Sequence, residues 1–269
     1  MKKVVWGNIL CNDPIAKDVY KMQIQSSEMG PVKAGQFVNI YLEDKSMLLP
    51  RPLSICDAEE DSITIVYRIA GKGTRELSAY QAMNQIRVST PLGNGYFIEG
   101  TALGGQIDDY SGKTVVVAGG GIGVPPMVLL ARRLKEKGAE VLAAVGFQEE
   151  PFLIEELKQY CREVHVATDR GTCGFHGNAV QMIKEKRIDA DEYFSCGPKV
   201  MLKALSDFCT EKRIHCQVSL EERMGCGYGA CVGCTCKIKV KTNQGMEIQQ
   251  KGVCKHGPVF FGEEVVWDE

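Results

Sequence analysis

The chain has 269 residues, of which 44% are hydrophobic and 25% charged, a composition typical of globular proteins that bury a core. At ~150 residues per domain, this length corresponds to about two domains with room for a small extra module. Lys and Arg total 32 against 34 Asp and Glu, so no basic excess indicates a nucleic-acid or membrane partner.

The first residues do not read as a secretion signal, because Cys11, Asn12 and Asp13 interrupt the apolar run. The longest uncharged stretch, residues 114–131, contains four glycines and two adjacent prolines. Such a stretch predicts a buried strand, turn and helix and not a membrane span. We therefore expect a cytoplasmic protein, in which the 12 cysteines are reduced and the clustered ones bind metal or carry out redox chemistry.

Residues 1–103 predict an antiparallel β-barrel domain. Short runs at 37–42, 62–68 and 85–88 are rich in β-branched and aromatic residues, and Gly and Pro separate them. Short strands at this spacing are typical of a small barrel or sandwich.

Residues 104–215 predict an α/β domain. Apolar strands at 114–118, 140–147, 163–168 and 192–195 alternate with helices at 125–137, 154–161, 178–186 and 198–212, and a strand at 216–220 closes the series. This alternation indicates a parallel sheet covered on both faces.

Residues 216–269 form a third segment, in which glycines and cysteines dominate before a hairpin-like stretch at 237–249. The segment has too little apolar material for a core of its own, so a metal should hold it together. Cys226, Cys231 and Cys234 show the C-x4-C-x2-C spacing that, with a distant fourth cysteine, is typical of a plant-type [2Fe–2S] cluster. We predict Cys254 as the fourth ligand; Cys236 is an alternative, and structural zinc is the alternative metal.

The turn after the first strand of the α/β domain is rich in glycine, at Gly119, Gly120, Gly121 and Gly123. Such a turn lets the backbone approach a pyrophosphate, and prolines at the following helix start leave the helix dipole aimed at the anion.

Two later strands end in further candidate residues, Asp169 and the run Cys196, Gly197 and Pro198. Ligands of open α/β sheets bind at these strand ends. Glu149 and Glu150 follow the second strand without a neighbouring Arg or Lys. Their charge would repel a ribose 2′-phosphate, which favours NAD over NADP.

The barrel segment contains polar residues suited to a second phosphorylated ligand. An Arg guanidinium can pair with a phosphate, a Ser hydroxyl can bond a ring nitrogen, and a Gly-Thr pair offers further donors. The candidates are Arg51, Pro52, Leu53, Ser54, Val66, Tyr67, Arg68, Gly73 and Thr74.

In their order, these parts resemble the ferredoxin–NADP reductase superfamily over about residues 1–215. With the cysteine segment, the whole chain is similar to the electron transfer subunits of type B dihydroorotate dehydrogenases. The expected fold is therefore a multidomain α+β and α/β protein, with an N-terminal antiparallel β-barrel, a central parallel α/β nucleotide-binding domain and a small C-terminal [2Fe–2S] module.

The resemblance implies FAD at the barrel motif, NAD at the glycine turn and a [2Fe–2S] cluster on the four cysteines. It also implies a partner, an FMN-containing dihydroorotate dehydrogenase catalytic subunit in a two-plus-two heterotetramer, and a role in de novo pyrimidine (UMP) biosynthesis. Leu53 replaces a Tyr that is frequent in the superfamily, so we expect flavin stacking from another residue, with Tyr67 as candidate.

Two other functions remain open from the sequence. One is a reductase subunit of another NAD(P)-linked ferredoxin or hydrogenase system, and the other is a non-enzymatic, zinc-stabilised adaptor. Because the cofactors carry the electron-transfer chemistry, no catalytic side chain is predicted; the four histidines, His165, His176, His215 and His256, form no recognisable nucleophile set.

Overall fold

The computed structural model describes residues 2–44, 46–99, 101–102, 105–106, 109–243 and 245–267. The predicted border between residues 103 and 104 lies outside the described residues. Within the described ranges, no helix combines the length and apolar character needed to cross a membrane.

The N-terminal strands close into an antiparallel barrel in the order β1-β2-β5-β4-β3-β6. Exposed and buried residues alternate along the first half of β1, as expected when one face of a strand points into a core. The predicted strands in this region are confirmed to within one residue at either end. The strands are β1 Val4–Ala16, β2 Val19–Gln25, β3 Phe37–Tyr41, β4 Arg51–Ala58, β5 Ser62–Arg68 and β6 Gln85–Ser89, with helix α1 at Lys72–Leu77 before β6. A minor pair, β7 Thr101–Ala102 and β8 Gly105–Gln106, follows.

The second part is a parallel sheet in the order β12-β11-β10-β9-β13-β14-β17, with only β17 antiparallel. The predicted strand and helix alternation is confirmed. The strands are β9 Thr114–Gly120, β10 Glu140–Phe147, β11 Glu163–Thr168, β12 Phe175–His176, β13 Glu192–Cys196 and β14 His215–Ser219. The helices are α2 Pro125–Glu136, α3 Ile154–Tyr160, α4 Ala179–Glu185 and α5 Lys199–Lys212. From β9 the chain adds β10, β11 and β12 on one side and then returns to add β13 and β14 on the other side. The carboxyl end of β9 is therefore a switch point, where ligands of such sheets bind.

Helix α2 joins the sheet to the barrel. Arg132 on this helix pairs with Asp57 of β4 at 2.8 Å and donates to the Ala58 carbonyl at 2.5 Å. Buried residues of the barrel, of α2 and of the sheet also form one continuous apolar cluster. The two parts are therefore packed against each other through a shared core.

The C-terminal part consists of the hairpin β15 Thr235–Thr242 and β16 Gly245–Gly252, the one-turn helix α6 Val253–His256 and the strand β17 Val259–Phe261. The predicted fourth ligand, Cys254, lies in α6. The predicted border at residue 216 falls inside β14, and β17 extends the same sheet. Apolar residues of this part belong to the cluster that covers the sheet, which agrees with a module that lacks a core of its own.

Candidate functional site: a nucleotide cavity beside a cysteine loop

A cavity of about 600 Å³ lies between the barrel and the carboxyl ends of the parallel strands. This volume is in the range of small-molecule and cofactor sites. Most of the residues predicted from the barrel motif and the strand ends line it together. They are Pro52, Leu53, Ser54, Val66, Arg68, Gly120, Gly121, Gly123, Asp169, Cys196, Gly197 and Pro198.

The glycines of the turn after β9 serve two purposes. A Cβ atom at Gly123 would lie 2.3 Å from the Cys196 carbonyl oxygen, and one at Gly120 would lie 2.8 Å from Pro198 Cδ. These glycines allow the turn to pack against the loop after β13. Gly121 has a φ of +54° and no described neighbour within 4 Å of its Cβ position. It leaves the backbone open toward the cavity, as the approach of a pyrophosphate requires.

Five predicted residues are not among the described lining residues: Arg51, Tyr67, Gly73, Thr74 and Gly119. Arg51 and Gly73 nevertheless meet, because a Cβ at Gly73 would lie 2.2 Å from Arg51 Nε. The Arg51 guanidinium donates to the Leu49 carbonyl at 2.6 Å, and the Thr74 hydroxyl accepts the Gly71 N–H at the start of α1. The structure thus brings the Arg-Pro-x-Ser and Gly-Thr motifs together beside the cavity.

Tyr67 does not take the stacking position that the sequence suggested for it. Its side chain is fully buried, its hydroxyl donates to Asn12 Oδ1 at 2.9 Å, and its ring stacks on Tyr20. Its neighbours Val66 and Arg68 line the cavity instead, because alternate side chains of a strand point to opposite faces.

Several lining residues were not predicted from the sequence, among them Phe37, Glu221, Glu222, Met224 and Pro258. The segment 221–224 follows β14, so the rule that places ligands at strand ends could have identified it. Phe37 carries no polar group, and its position at the cavity follows from the closure of the barrel.

The four predicted cysteine ligands come together as two pairs. The Cys231 N–H contacts the sulfur of Cys226, and the Cys254 N–H contacts the sulfur of Cys234. Cys234 and Cys254 are buried, whereas Cys231 is exposed. In the described part of the chain, no group of three or more His, Cys, Asp or Glu residues is arranged to hold a single metal ion.

Backbone N–H groups point at the cysteine sulfurs. Those of Tyr228 and Cys231 donate to Cys226 Sγ, both at 3.4 Å, and that of Cys254 donates to Cys234 Sγ at 3.5 Å. Burial raises the pKa of the Cys226 thiol, but the N–H donors outweigh burial and lower it to about 6. Burial and contact with Cys234 raise the pKa of Cys254 to about 12. N–H donors of this kind stabilise thiolates and tune a bound cluster.

Cys236 lies outside both pairs. It sits on β15, is half-buried, and its thiol donates to the Lys251 carbonyl of β16 at 3.5 Å. Burial raises its pKa to about 11. Its bond within the hairpin supports the preference for Cys254.

The barrel holds the first cysteine segment through β3. Asn39 is fully buried, and its Nδ2 donates to the Cys226 carbonyl at 3.1 Å. A Cβ at Gly227, whose φ is +73°, would lie 2.4 Å from this nitrogen. Tyr41, two residues further along the strand, shares a hydrogen bond of 2.7 Å with Tyr228.

Asn94 of the barrel holds the second cysteine segment. Its Nδ2 donates to the carbonyls of His256 at 3.1 Å and Val259 at 2.8 Å, and its Oδ1 accepts the Val259 N–H at 3.2 Å. Its own backbone N–H donates to the Gly257 carbonyl at 2.8 Å. Both segments that carry predicted ligands are therefore attached to the barrel by an asparagine.

Together, the barrel, the parallel sheet and the cysteine module are the architecture of reductases that combine a nucleotide-binding fold with an iron–sulfur domain. The structure of an NADH-dependent reduced ferredoxin-NADP oxidoreductase, determined in a study of flavin-based electron bifurcation, matches with a TM-score of 0.82 and 28% identity, covering 97% of this chain and 90% of that chain. Phthalate dioxygenase reductase shares the fold, with a TM-score of 0.59 and 16% identity over 94% of this chain and 77% of that one.

A family model for the iron–sulfur cluster binding domain of dihydroorotate dehydrogenase B matches residues 221–266. The chain is 37% identical to the dihydroorotate dehydrogenase B (NAD(+)) electron transfer subunit of Caldanaerobacter subterraneus, over 97% of this chain and 98% of the relative. It is 40% identical to that of Bacillus pumilus, over 98% of both chains. The chain belongs to the family of these electron transfer subunits.

Proposed function

We propose that the chain carries electrons from the FMN-containing catalytic subunit of a dihydroorotate dehydrogenase to NAD⁺, and so serves pyrimidine biosynthesis. The relatives named as electron transfer subunits support an electron-carrying role beside a catalytic partner. The two-plus-two heterotetramer, which the resemblance implies, and the cytoplasmic location, which the sequence pattern predicts, are parts of this proposal.

One observation carries the proposal: a single strand, β3, connects the cavity with the cysteine loop. Phe37 lines the cavity, Asn39 binds the Cys226 carbonyl and Tyr41 binds Tyr228. Residues two apart on a strand share a face and lie about 7 Å from each other. The nucleotide site and the predicted cluster site are therefore neighbours on one rigid element.

The residues present fit the three implied groups. The two cysteine pairs suit a cluster with two irons, which Cys226, Cys231, Cys234 and Cys254 would hold. The apolar wall and the Arg51–Gly73 contact suit a flavin with its pyrophosphate. When bound, FAD and the cluster supply the exchange between two-electron and one-electron transfer that links nicotinamide to iron–sulfur chemistry.

The chain's own residues orient the nicotinamide nucleotide. Gly121 leaves its backbone open for the pyrophosphate, and Gly123 permits the close approach of the loop at Cys196. Gly197 and Pro198 line the cavity from the α/β domain, and Leu53 and Ser54 line it from the barrel. We infer that the nicotinamide binds between these two walls, where they exclude water from the reacting rings.

The catalytic subunit is expected to dock over the cysteine loop. Cys231 is exposed, and the adjacent Val232 has 85% of its surface in solvent. Trp6 and Leu48, which are 58% and 88% exposed, lie in a groove that also contains Tyr41. Exposed apolar residues of this kind are typical of protein interfaces.

The test is reconstitution of the chain with the catalytic subunit encoded in the same organism. The complex should form NADH when supplied with dihydroorotate and NAD⁺. A Cys231→Ser variant should lose this reaction but retain reduction of an artificial dye by NADH, which requires only the flavin. A wild-type complex that contains its cofactors but forms no NADH would refute the proposal.

A second candidate is a reductase subunit of another NAD(P)-linked ferredoxin system, and the match to the NADH-dependent ferredoxin-NADP oxidoreductase favours it. The two candidates differ only in the partner. Co-purification of the chain from its own cells, followed by an assay for dihydroorotate oxidation, separates them.

A further inference from the structure

The outer end of the nucleotide cavity is formed by two loops that run side by side, one after β10 and one after β11. The Asp169 N–H donates to the Phe147 carbonyl at 3.0 Å, and the Arg170 N–H donates to the Gln148 carbonyl at 3.3 Å. Gln148 and Asp169 line the cavity. Glu149 and Arg170 are the next residues of the two loops and directly follow these lining residues in the chain.

Glu149 and Arg170 form an ion pair across these loops. The Arg170 side chain is 71% exposed and that of Glu149 44% exposed, so solvent reaches both. The Thr172 hydroxyl donates to the Glu149 carbonyl at 2.5 Å, which fixes the backbone beneath the pair.

The neighbouring carboxylate has a different environment. Glu150 accepts the backbone N–H of Lys17, in the β1–β2 turn, at 3.0 Å. Its carboxylate therefore contacts the barrel. Of the two acidic residues that follow β10, only Glu149 neutralises the cation at the end of the site.

We propose that the Glu149–Arg170 pair determines the choice between NAD and NADP, with Arg170 acting as a 2′-phosphate-binding group that Glu149 holds neutral. This inference rests on the proposed function, because it assumes that a nicotinamide nucleotide occupies the cavity. An acidic residue after the second strand suits a ribose 2′-hydroxyl and repels a 2′-phosphate.

The chemistry of the pair explains why Arg170 suits a 2′-phosphate and why Glu149 opposes the binding of that phosphate. A guanidinium binds phosphate through two parallel hydrogen bonds, so Arg170 is a suitable ligand for the extra phosphate of NADP. While Glu149 is paired with Arg170, the 2′-phosphate would have to displace the Glu149 carboxylate and would remain close to its negative charge. Removal of the Glu149 carboxylate leaves the Arg170 guanidinium without its ion-pair partner.

The experiment uses the full-length, flavin-loaded chain and measures reduction of an artificial dye with NADH and with NADPH. Glu149→Gln should raise kcat/KM for NADPH by about tenfold or more, as expected for one charge-assisted phosphate contact. Glu149→Gln combined with Arg170→Ala should lose this gain. Glu155→Gln, which removes an exposed carboxylate of α3, is the matched control and should leave the NADH to NADPH preference unchanged.

A binding measurement with 2′,5′-ADP and 5′-ADP gives a readout that does not depend on turnover. In titration calorimetry, Glu149→Gln should bind 2′,5′-ADP more tightly than the wild type does, with little change for 5′-ADP. The proposal is overturned if Glu149→Gln changes neither binding nor NADPH use, if the gain persists without Arg170, or if Glu150→Gln gives an equal gain. A wild-type chain that contains flavin but does not oxidise NADH would instead refute the proposed function.

Discussion

The nucleotide cavity and the cysteine module are held together in different ways. The cavity is bounded by strand ends, and its glycine turn packs against buried backbone near Cys196. The cysteine module has exposed residues such as Cys231 and Val232; Asn39 of the barrel holds its first segment at Cys226, and Asn94 holds its second segment at Val259. The first site is thus part of the core, whereas the second depends on contacts between modules and on its bound metal.

The largest effect is expected from removal of a cluster ligand, because the cysteine module has no hydrophobic core of its own to hold it together without the cluster. Cys254→Ser should abolish the cluster, and Cys236→Ser should retain it, since the Cys236 thiol is bonded within the hairpin. Iron and sulfide per chain, together with the visible spectrum of anaerobically purified protein, measure the outcome.

The flavin content serves as the internal control for both cysteine variants. Cys254→Ser should keep its flavin and its NADH-dependent dye reduction, because the cavity is independent of the thiol. Cluster loss in Cys236→Ser with retention in Cys254→Ser would reverse the assignment of the fourth ligand.

The attachment of the loop to the barrel can be broken at Asn39. Asn39→Asp replaces the donor to the Cys226 carbonyl with an acceptor in a fully buried position. We expect a loss of about 2–3 kcal/mol in the free energy of unfolding and faster hydrogen exchange in residues 226–231, with a lower iron content.

Asn8→Asp is the matched control for this substitution, because Asn8 lies on the exposed face of β1. It should change neither the urea midpoint nor the iron content. Equal effects of the two substitutions would show that the Asn39 contact does not stabilise the loop.

Gly123 and Gly121, both in the turn after β9, are expected to respond differently to substitution by alanine. Gly123→Ala would place its Cβ 2.3 Å from the Cys196 carbonyl oxygen and should cost about 1–3 kcal/mol of stability through overpacking. Gly121→Ala meets no described neighbour within 4 Å but has a φ of +54°, so its cost to stability should be only about 1 kcal/mol.

The two alanine variants should also differ in their KM for NADH. Gly121→Ala projects a methyl group toward the open side of the turn and should raise KM for NADH by about tenfold, the loss of roughly 1.4 kcal/mol of binding. Thermal unfolding and steady-state assays of dye reduction measure both effects. A larger loss of stability in Gly121→Ala than in Gly123→Ala would contradict the assignment of these roles.

The sequence predicted the α/β part closely because its strands are continuous apolar runs and its helices carry clear Pro and Gly boundaries. The strand at 140–147 and the helix beginning at Pro125 are examples. The cysteine spacing likewise indicated a cluster, since ligands on one short loop leave a local pattern.

Long-range contacts could not be predicted in the same way. Asn39, Asn94 and Phe37 carry no local motif, and their positions follow from closure of the barrel and its packing against the C-terminal part. The burial of Tyr67 also depends on which strand face points inward, and one residue of register decides this.

The smallest expected effect concerns Glu192, at the far end of β13 from the cavity. Its carboxylate accepts bonds from Tyr110 Oη at 3.2 Å and Gln217 Nε2 at 2.9 Å. Burial raises its pKa above the ordinary value of 4.5 despite these donors. The folded state therefore favours the protonated acid, and the stability that this protonation contributes is complete below pH 4.5 and declines as pH rises through the raised pKa.

Glu192→Gln keeps the side chain neutral at every pH and so removes this decline. The stability of the variant relative to the wild type should increase between pH 4 and pH 7, as measured by urea unfolding at several pH values. Glu211→Gln, on the exposed face of α5, is the matched control and should show no such trend. A difference in stability between Glu192→Gln and the wild type that is constant with pH would mean that the hydrogen bonds from Tyr110 and Gln217 fully offset the effect of burial on the pKa of Glu192.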